Sequence, residues 1–474
     1  MSNLGTATYL INIKKLVDEH NIDGEKRDFK SMRTGQMGKT LQAPPQTYYK
    51  LKGPDDKTLQ FESRFESGNL LAAIKLSDNE YDLILQNDIN TNGHTQWYFF
   101  RVGNTRKGMK VKFNILNLAK PDSLYNYGMK ILSFSQMAKE KENLGWHRLG
   151  ENINYLQNNY RRDNQRFQRY HYTFTFSHVF DYDDDFQYYS HCFPYTYSDL
   201  CDDLNRIEKD ASCQNFYYRT MLTRTLAGNR CEYLTITSKD KDPKSAKALA
   251  KKGVFISARV HPGESNASWM MKGVIEYLVS HTPEAKALRD NFVFKIVPIL
   301  NPDGVINGNY RCSLSGQDLN RRWKAPSRVL HPVNFAVKKL IRQFAKERSI
   351  LLYCDLHGHS RRKNIFMYGN NIKDQPHSTR VFPYIMSKLC DYFSFEQSRF
   401  SMNRLKDGTA RIAMFKELNI PNIFTMEASF CGADKGEYKD QHFTTEYLMK
   451  AGSRLCEALI VYSKIEVNQG PNKY

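Results

Sequence analysis

A chain of 474 residues is long enough for two or three domains, and a 41% hydrophobic fraction beside 25% charged residues is ordinary globular composition. No run of about 18 apolar residues and no secretory leader can be read in it, and nine cysteines without a CxxC pair fit a reducing compartment better than a disulfide framework. Lys and Arg total 69 against 50 Asp and Glu, a balance of +19. A field of that sign favours anionic partners, and nucleic acid, an anionic membrane and an acidic protein tail all qualify.

Residues 1–50 read as a polar N-terminal extension. From Leu59 onward the chain breaks into short segments rich in β-branched and aromatic residues: LQFESRF, NLLAAIKL, EYDLILQN, TQWYFFRV, MKVKFNIL, YHYTFTFSHVF and FPYTYSDL. Turn-forming clusters such as NTNG separate them. Short strands at this spacing predict an antiparallel β-sandwich over 51–200.

The rhythm then becomes strand and helix over 201–465, with a tail at 466–474. GVFISARV, NFVFKIVPIL, SILLYCDLH and NIFTMEASF read as buried strands. NASWMMKGVIEYLVSH, NFAVKKLIRQFAKE, FPYIMSKLCDYF and the segment from Phe443 to Lys464 read as helices. Near-continuous apolar strands between helices predict an α/β domain whose sheet is covered on both faces. In such folds ligands gather at the carboxyl ends of the strands.

Chemistry-bearing residues sit at those ends. HPGE places His261 and Glu264 three residues apart on a turn after the first strand, and both side chains are ordinary zinc ligands. A lone HxxE is most often a surface histidine and a capping glutamate. A further strand end, YCDLHGHS, offers His357 as a third ligand, flanked by Asp355 and His359. Glu427, at the end of another apolar strand, is placed to act as a general base on a zinc-bound water. The loop NPDGVINGNYRCSLSGQDLNRRW carries Arg311, Asn320 and Arg321, and KDGTARIAMF carries Arg411. Arginine suits bidentate capture of carboxylates. These loops are basic throughout, with Arg361, Arg362, Lys363, Arg399, Arg404 and Lys406 close by in sequence. A cation-lined cleft concentrates anionic substrates, less so as salt rises.

HPGESNASW, NPDGVINGNYRCSLSGQDLNRRW, YCDLHGHSRRKNIFMYG and MEASFCG, in this order, resemble the cytosolic carboxypeptidases, the tubulin deglutamylase branch of the M14 zinc metallocarboxypeptidases. The resemblance covers about residues 55–463 and implies an N-terminal antiparallel β-sandwich followed by a metallocarboxypeptidase domain with a mixed, helix-covered sheet. It implies one Zn2+ per chain on His261, Glu264 and His357, with Glu427 as general acid/base. Arg311 is the expected oxyanion stabiliser, Asn320 and Arg321 the expected grip on the C-terminal carboxylate, and Arg411 the expected reader of an acidic side chain. The implied activity removes C-terminal glutamate from acidic tails such as polyglutamylated tubulin. The implied location is the cytoplasm, with a ciliary or microtubule association following from the family alone. The tyrosine that digestive carboxypeptidases carry just upstream of GTAR is absent here. A catalytically silent microtubule adaptor and a zinc acylase for small acidic substrates are the alternatives. No zinc finger, RRM-like aromatic motif or basic helix supports nucleic-acid binding as the use of the charge.

Overall fold

The computed structural model describes residues 49–162, 169–240 and 245–467. Most of the N-terminal extension and of the C-terminal tail lies outside them. The chain packs as two units, one of residues up to Pro194 together with Gly304–Gln317, the other of Tyr195–Asp303 and Asp318 onward. The segment Gly304–Gln317 thus folds with the first unit, although it lies within the stretch that the sequence assigns to the second.

The first unit holds two five-stranded sheets. One runs Gln60–Glu62, Phe99–Gly103, Gln187–Ser190, Ile131–Ser135, His147–Leu149, antiparallel throughout. The other runs Ala72–Ser77, Glu80–Ile84, Lys110–Leu118, Tyr170–Val179, Glu151–Arg161. Its single parallel pair is Glu80–Ile84 with Lys110–Leu118. Period-2 alternation buries Phe113, Ile115, Phe174 and Phe176, with Tyr98, Phe100 and Tyr189. Most of these rings meet tilted, as Phe113 with Phe176 at 5.1 Å between centroids, while Tyr98 stacks on Phe174 at 6.2 Å.

One expected strand does not form. FPYTYSDL runs into a helix at Tyr197–Lys209, because Thr196 accepts from the Asp199 N–H while the Asp199 carboxylate accepts from the Thr196 N–H. That reciprocal cap starts a helix despite the aromatic residues before it.

The second unit is built on a seven-stranded sheet in the order Tyr217–Arg224, Arg230–Ile236, Phe292–Val297, Lys252–Ala258, Ile350–His359, Ile423–Ser429, Ile365–Tyr368. The four central strands run parallel, and antiparallel strands close both sides. The central four are those predicted from apolar runs. The hairpin Tyr217–Ile236 and the edge strand Ile365–Tyr368 are additions. Helix Pro332–Glu347 packs its apolar stripe of Val333, Val337, Ile341 and Phe344 on one face. Helices Ser265–Val279 and Thr445–Ser463 lie together, and glycine sets how close they come. A Cβ on Gly273 would stand 1.9 Å from the Met449 carbonyl oxygen, and one on Gly452 2.0 Å from that of Met270. Any side chain at either position forces the helices apart.

All nine cysteines are free thiols. Among the described residues no helix is long and apolar enough to cross a membrane.

Candidate active site

The strand Lys252–Ala258 ends in a turn whose shape depends on Arg259. This residue holds the left-handed backbone (φ +59°) and is 1% exposed. Its Nε donates to the Pro262 carbonyl at 2.7 Å, and its Nη1 to the Tyr195 carbonyl at 2.9 Å and to Ser268 Oγ at 2.8 Å. The guanidinium therefore ties the turn to the first helical residues after it. Glu264 is the residue from which the helix Ser265–Val279 starts.

Within this turn His261 Nδ1 lies 2.8 Å from Glu264 Oε1. From the next strand, His357 Nδ1 lies 2.9 Å from Glu264 Oε2, and the Gly358 N–H donates to the same oxygen at 2.9 Å. A Cβ at Gly358 would stand 2.3 Å from Asn266 Oδ1, so only glycine lets helix and strand approach here. The far nitrogens are also held. His261 Nε2 is 3.1 Å from Asp318 Oδ1, and His357 Nε2 is 2.9 Å from Asp355 Oδ2. Asp355 is fixed in turn by Ser257 Oγ at 2.7 Å.

All three residues are buried, and one ligand atom from each lies within 4.8 Å of the others. Burial alone would raise the Glu264 carboxyl, but the two histidines hold it well below its ordinary range. Burial alone would lower the His357 imidazole, but Asp355 and Glu264 hold it well above.

This donor set fits zinc. Two imidazoles and one carboxylate are borderline N/O ligands, and three protein ligands leave a position open, as catalytic zinc requires. With a metal bound, carboxylates at Nε2 of both histidines would fix the tautomer that leaves the Nδ1 lone pair for the metal. Asp355 stands two residues before His357 in the motif itself, but Asp318 is a support that motif spacing does not reveal: it lies 57 positions beyond His261, and only folding brings them together.

Glu427 pairs in register with His357 on the neighbouring parallel strand and with Phe366 on the edge strand, so the three side chains share one face. Burial raises the Glu427 carboxyl above its ordinary range, partly opposed by the His357 charge. A carboxylate raised in this way suits proton transfer near neutral pH.

Asn320 Oδ1 accepts from the Ala410 N–H at 3.0 Å, which orients the amide and places Nδ2 3.4 Å from His357 Nε2. Arg321 follows it and donates to the Asn320 carbonyl at 3.0 Å. Arg411 is 6% exposed; its Nη1 donates to Asn370 Oδ1 at 3.0 Å and to the Gly369 carbonyl. Among the described residues no carboxylate lies within ion-pair distance of it. Burial lowers its pKa to about 10.

Arg311 belongs to the segment that folds with the first unit. There the buried Asp88 collects the N–H groups of Tyr310, Arg311 and Cys312 at 2.6, 2.7 and 2.7 Å. Asp88 is an anchor that no sequence motif marks.

A candidate metal triad at the carboxyl ends of parallel strands, with a carboxylate in register beside it, is the arrangement a metallohydrolase of the carboxypeptidase type would use. Residues 208–447 match the zinc carboxypeptidase family, and residues 61–191 match the cytosolic carboxypeptidase N-terminal domain. The chain belongs to the M14 zinc carboxypeptidases, in the cytosolic carboxypeptidase group. Cytosolic carboxypeptidase 2 of Xenopus tropicalis is 46% identical over 408 residues, 85% of this chain and 42% of that protein. Its Homo sapiens namesake is 47% identical over 414 residues, 86% of this chain and 45% of that protein. The chain thus spans less than half the length of these relatives. A metallo-carboxypeptidase from Burkholderia cenocepacia shares the fold, with a TM-score of 0.70 at 22% identity over 86% of this chain and 99% of that one.

Proposed function

We propose that this chain is a zinc-dependent carboxypeptidase that removes C-terminal glutamate from acidic protein tails, polyglutamylated tubulin foremost. The observation that carries it is the buried set His261, Glu264 and His357 with Glu427 on the same face of the sheet. Bound there, zinc would supply a Lewis acid and a water acidified to a pKa of roughly 7. Glu427 takes a proton and returns it to the departing amine. Asn320 and Arg321 hold the free C-terminal carboxylate, which restricts cleavage to the chain end. Arg411 receives an acidic side chain, since a buried guanidinium without a carboxylate partner gains most from one. Arg311 is assigned the oxyanion, a contact worth roughly 3–4 kcal/mol per donor in such sites. A cytoplasmic location, with ciliary or microtubule association, belongs to the same proposal.

The test is mass spectrometry of polyglutamylated tubulin incubated with the purified protein. Stepwise loss of glutamate masses, absent with Glu427→Gln and with a chelator, is expected. Persistence of the loss in Glu427→Gln would overturn the assignment of Glu427. No loss by the zinc-loaded protein would remove tubulin as substrate.

A further inference from the structure

Around the edge strand Ile365–Tyr368 the second unit gathers more cations than one acidic side chain can use. Phe366 and Tyr368 are two apart on this strand and so share the face that carries Glu427. Their rings meet edge to face at 5.5 Å. Each ring carries a cation: Lys406 Nζ lies 5.5 Å from the Tyr368 centroid, and the Arg362 guanidinium 5.4 Å from that of Phe366. Behind the strand's end, Arg411 is bonded to Gly369 and Asn370.

Among the described residues neither Lys406 nor Arg362 has a carboxylate within ion-pair distance. Lys363, which follows Arg362 in sequence, does pair, with Asp440 at 3.5 Å. The Lys406 ammonium is held below its ordinary pKa by desolvation and then by the charges of Arg411, Arg321 and Arg362, with the Glu427 carboxylate opposing them in part. Like charges held together cost free energy that an arriving anion returns.

The proposed carboxypeptidase reaction gives Arg321, with the neutral amide of Asn320, and Arg411 an occupant each. Asn320 and Arg321 take the terminal carboxylate, and Arg411 takes the last side chain. Lys406 and Arg362 remain, on an aromatic floor beside Glu427.

We propose that Lys406 and Arg362, seated on Tyr368 and Phe366, form a second anion subsite that binds the side-chain carboxylate of the residue preceding the C-terminal one. It rests on the carboxypeptidase reading and narrows the substrate to chains ending in two acidic residues. The aromatic floor holds the two cations in place, and its apolar face strengthens their pull on an anion. Lys406 and Arg362 are specificity residues, not participants in proton transfer.

The experiment measures binding and cleavage separately. In the zinc-loaded Glu427→Gln protein, fluorescence anisotropy compares N-terminally labelled peptides ending in Glu-Glu and in Ala-Glu. The expected preference for Glu-Glu is about tenfold or more at low salt, falling to about two- to threefold in Lys406→Met and in Arg362→Met, both of which keep an unbranched apolar stem. Lys363→Met, outside the cluster, keeps the full preference. The same peptides are then given to the protein with Glu427 intact, and the ratio of kcat/KM follows the binding ratio. An unaltered preference in both Lys406→Met and Arg362→Met, or no preference in the parent, overturns the subsite even if both peptides are cleaved. Cleavage of neither peptide, with a binding preference that still depends on Lys406, overturns the carboxypeptidase reading and leaves the subsite standing.

Discussion

Replacing Arg259 by Met should loosen the turn that carries two of the three candidate metal ligands. The substitution keeps an unbranched stem and leaves the left-handed backbone with a non-glycine residue, so the backbone term nearly cancels. What is lost is the guanidinium, which donates to two buried carbonyls, of Pro262 and Tyr195, and to Ser268 Oγ. A buried acceptor left unpaired costs about 1–3 kcal/mol, and the serine hydroxyl can rotate to another partner. Two orphaned carbonyls cost roughly 2–6 kcal/mol, and removing a buried charge returns part of that, leaving about 2–4 kcal/mol. Two packed units need not unfold in one step, so a single melting temperature is a poor gauge. Native-state hydrogen exchange of the amides in Lys252–Ala258 and in the turn 261–264 is the direct one. At 1.4 kcal/mol per decade their protection should fall by about 30- to 700-fold, with a weaker zinc affinity in chelator competition. Unchanged protection and unchanged affinity would show that the guanidinium does not hold this turn.

Gly358→Ala places a Cβ 2.3 Å from Asn266 Oδ1 and should cost about 1–3 kcal/mol with loss of zinc stoichiometry by mass spectrometry; full zinc loading with normal stability would refute the tight fit. Glu427→Gln should retain zinc and peptide binding while turnover falls about 10²–10⁴-fold, checked by isothermal titration beside a cleavage assay. His191, buried between Gln96 Nε2 at 3.0 Å and Tyr125 Oη at 3.3 Å, has its pKa pushed down to about 3 by burial. Its folded-state value lies below the unfolded one of about 6.5, so the unfolded chain takes the proton first and stability is lost as pH falls below 6.5. By pH 5 this amounts to about 2 kcal/mol. Chemical unfolding monitored by hydrogen exchange of the amides in Phe99–Gly103 and Gln187–Ser190 should show wild type and His191→Gln converging by that amount between pH 7 and pH 5. A constant gap refutes the neutral buried imidazole.

The candidate site was legible where chemistry coincides with local pattern. His261, Glu264, His357 and Glu427 each end an apolar run, and in a parallel sheet such ends share one edge. The four central strands were legible for the same reason, since a strand buried on both faces must be apolar along its length. FPYTYSDL shows the limit: its aromatic content favours a strand, yet two polar groups three residues apart decide for a helix. The edge strand Ile365–Tyr368 is only four residues long, and its place beside Glu427 depends on a pairing partner about sixty positions away.

The sequence by itself marked the candidate metal ligands and the candidate general base, the order of most elements and the surplus of positive charge, because each is written in neighbouring residues or in composition. Only the tertiary structure decided which carboxylates back the two histidines, that Gly304–Gln317 and Arg311 fold with the first unit, and which of the many basic residues stand over aromatic rings beside Glu427. Those outcomes depend on contacts between residues far apart in the chain. Burial and hydrogen bonding select such contacts from many that composition permits equally.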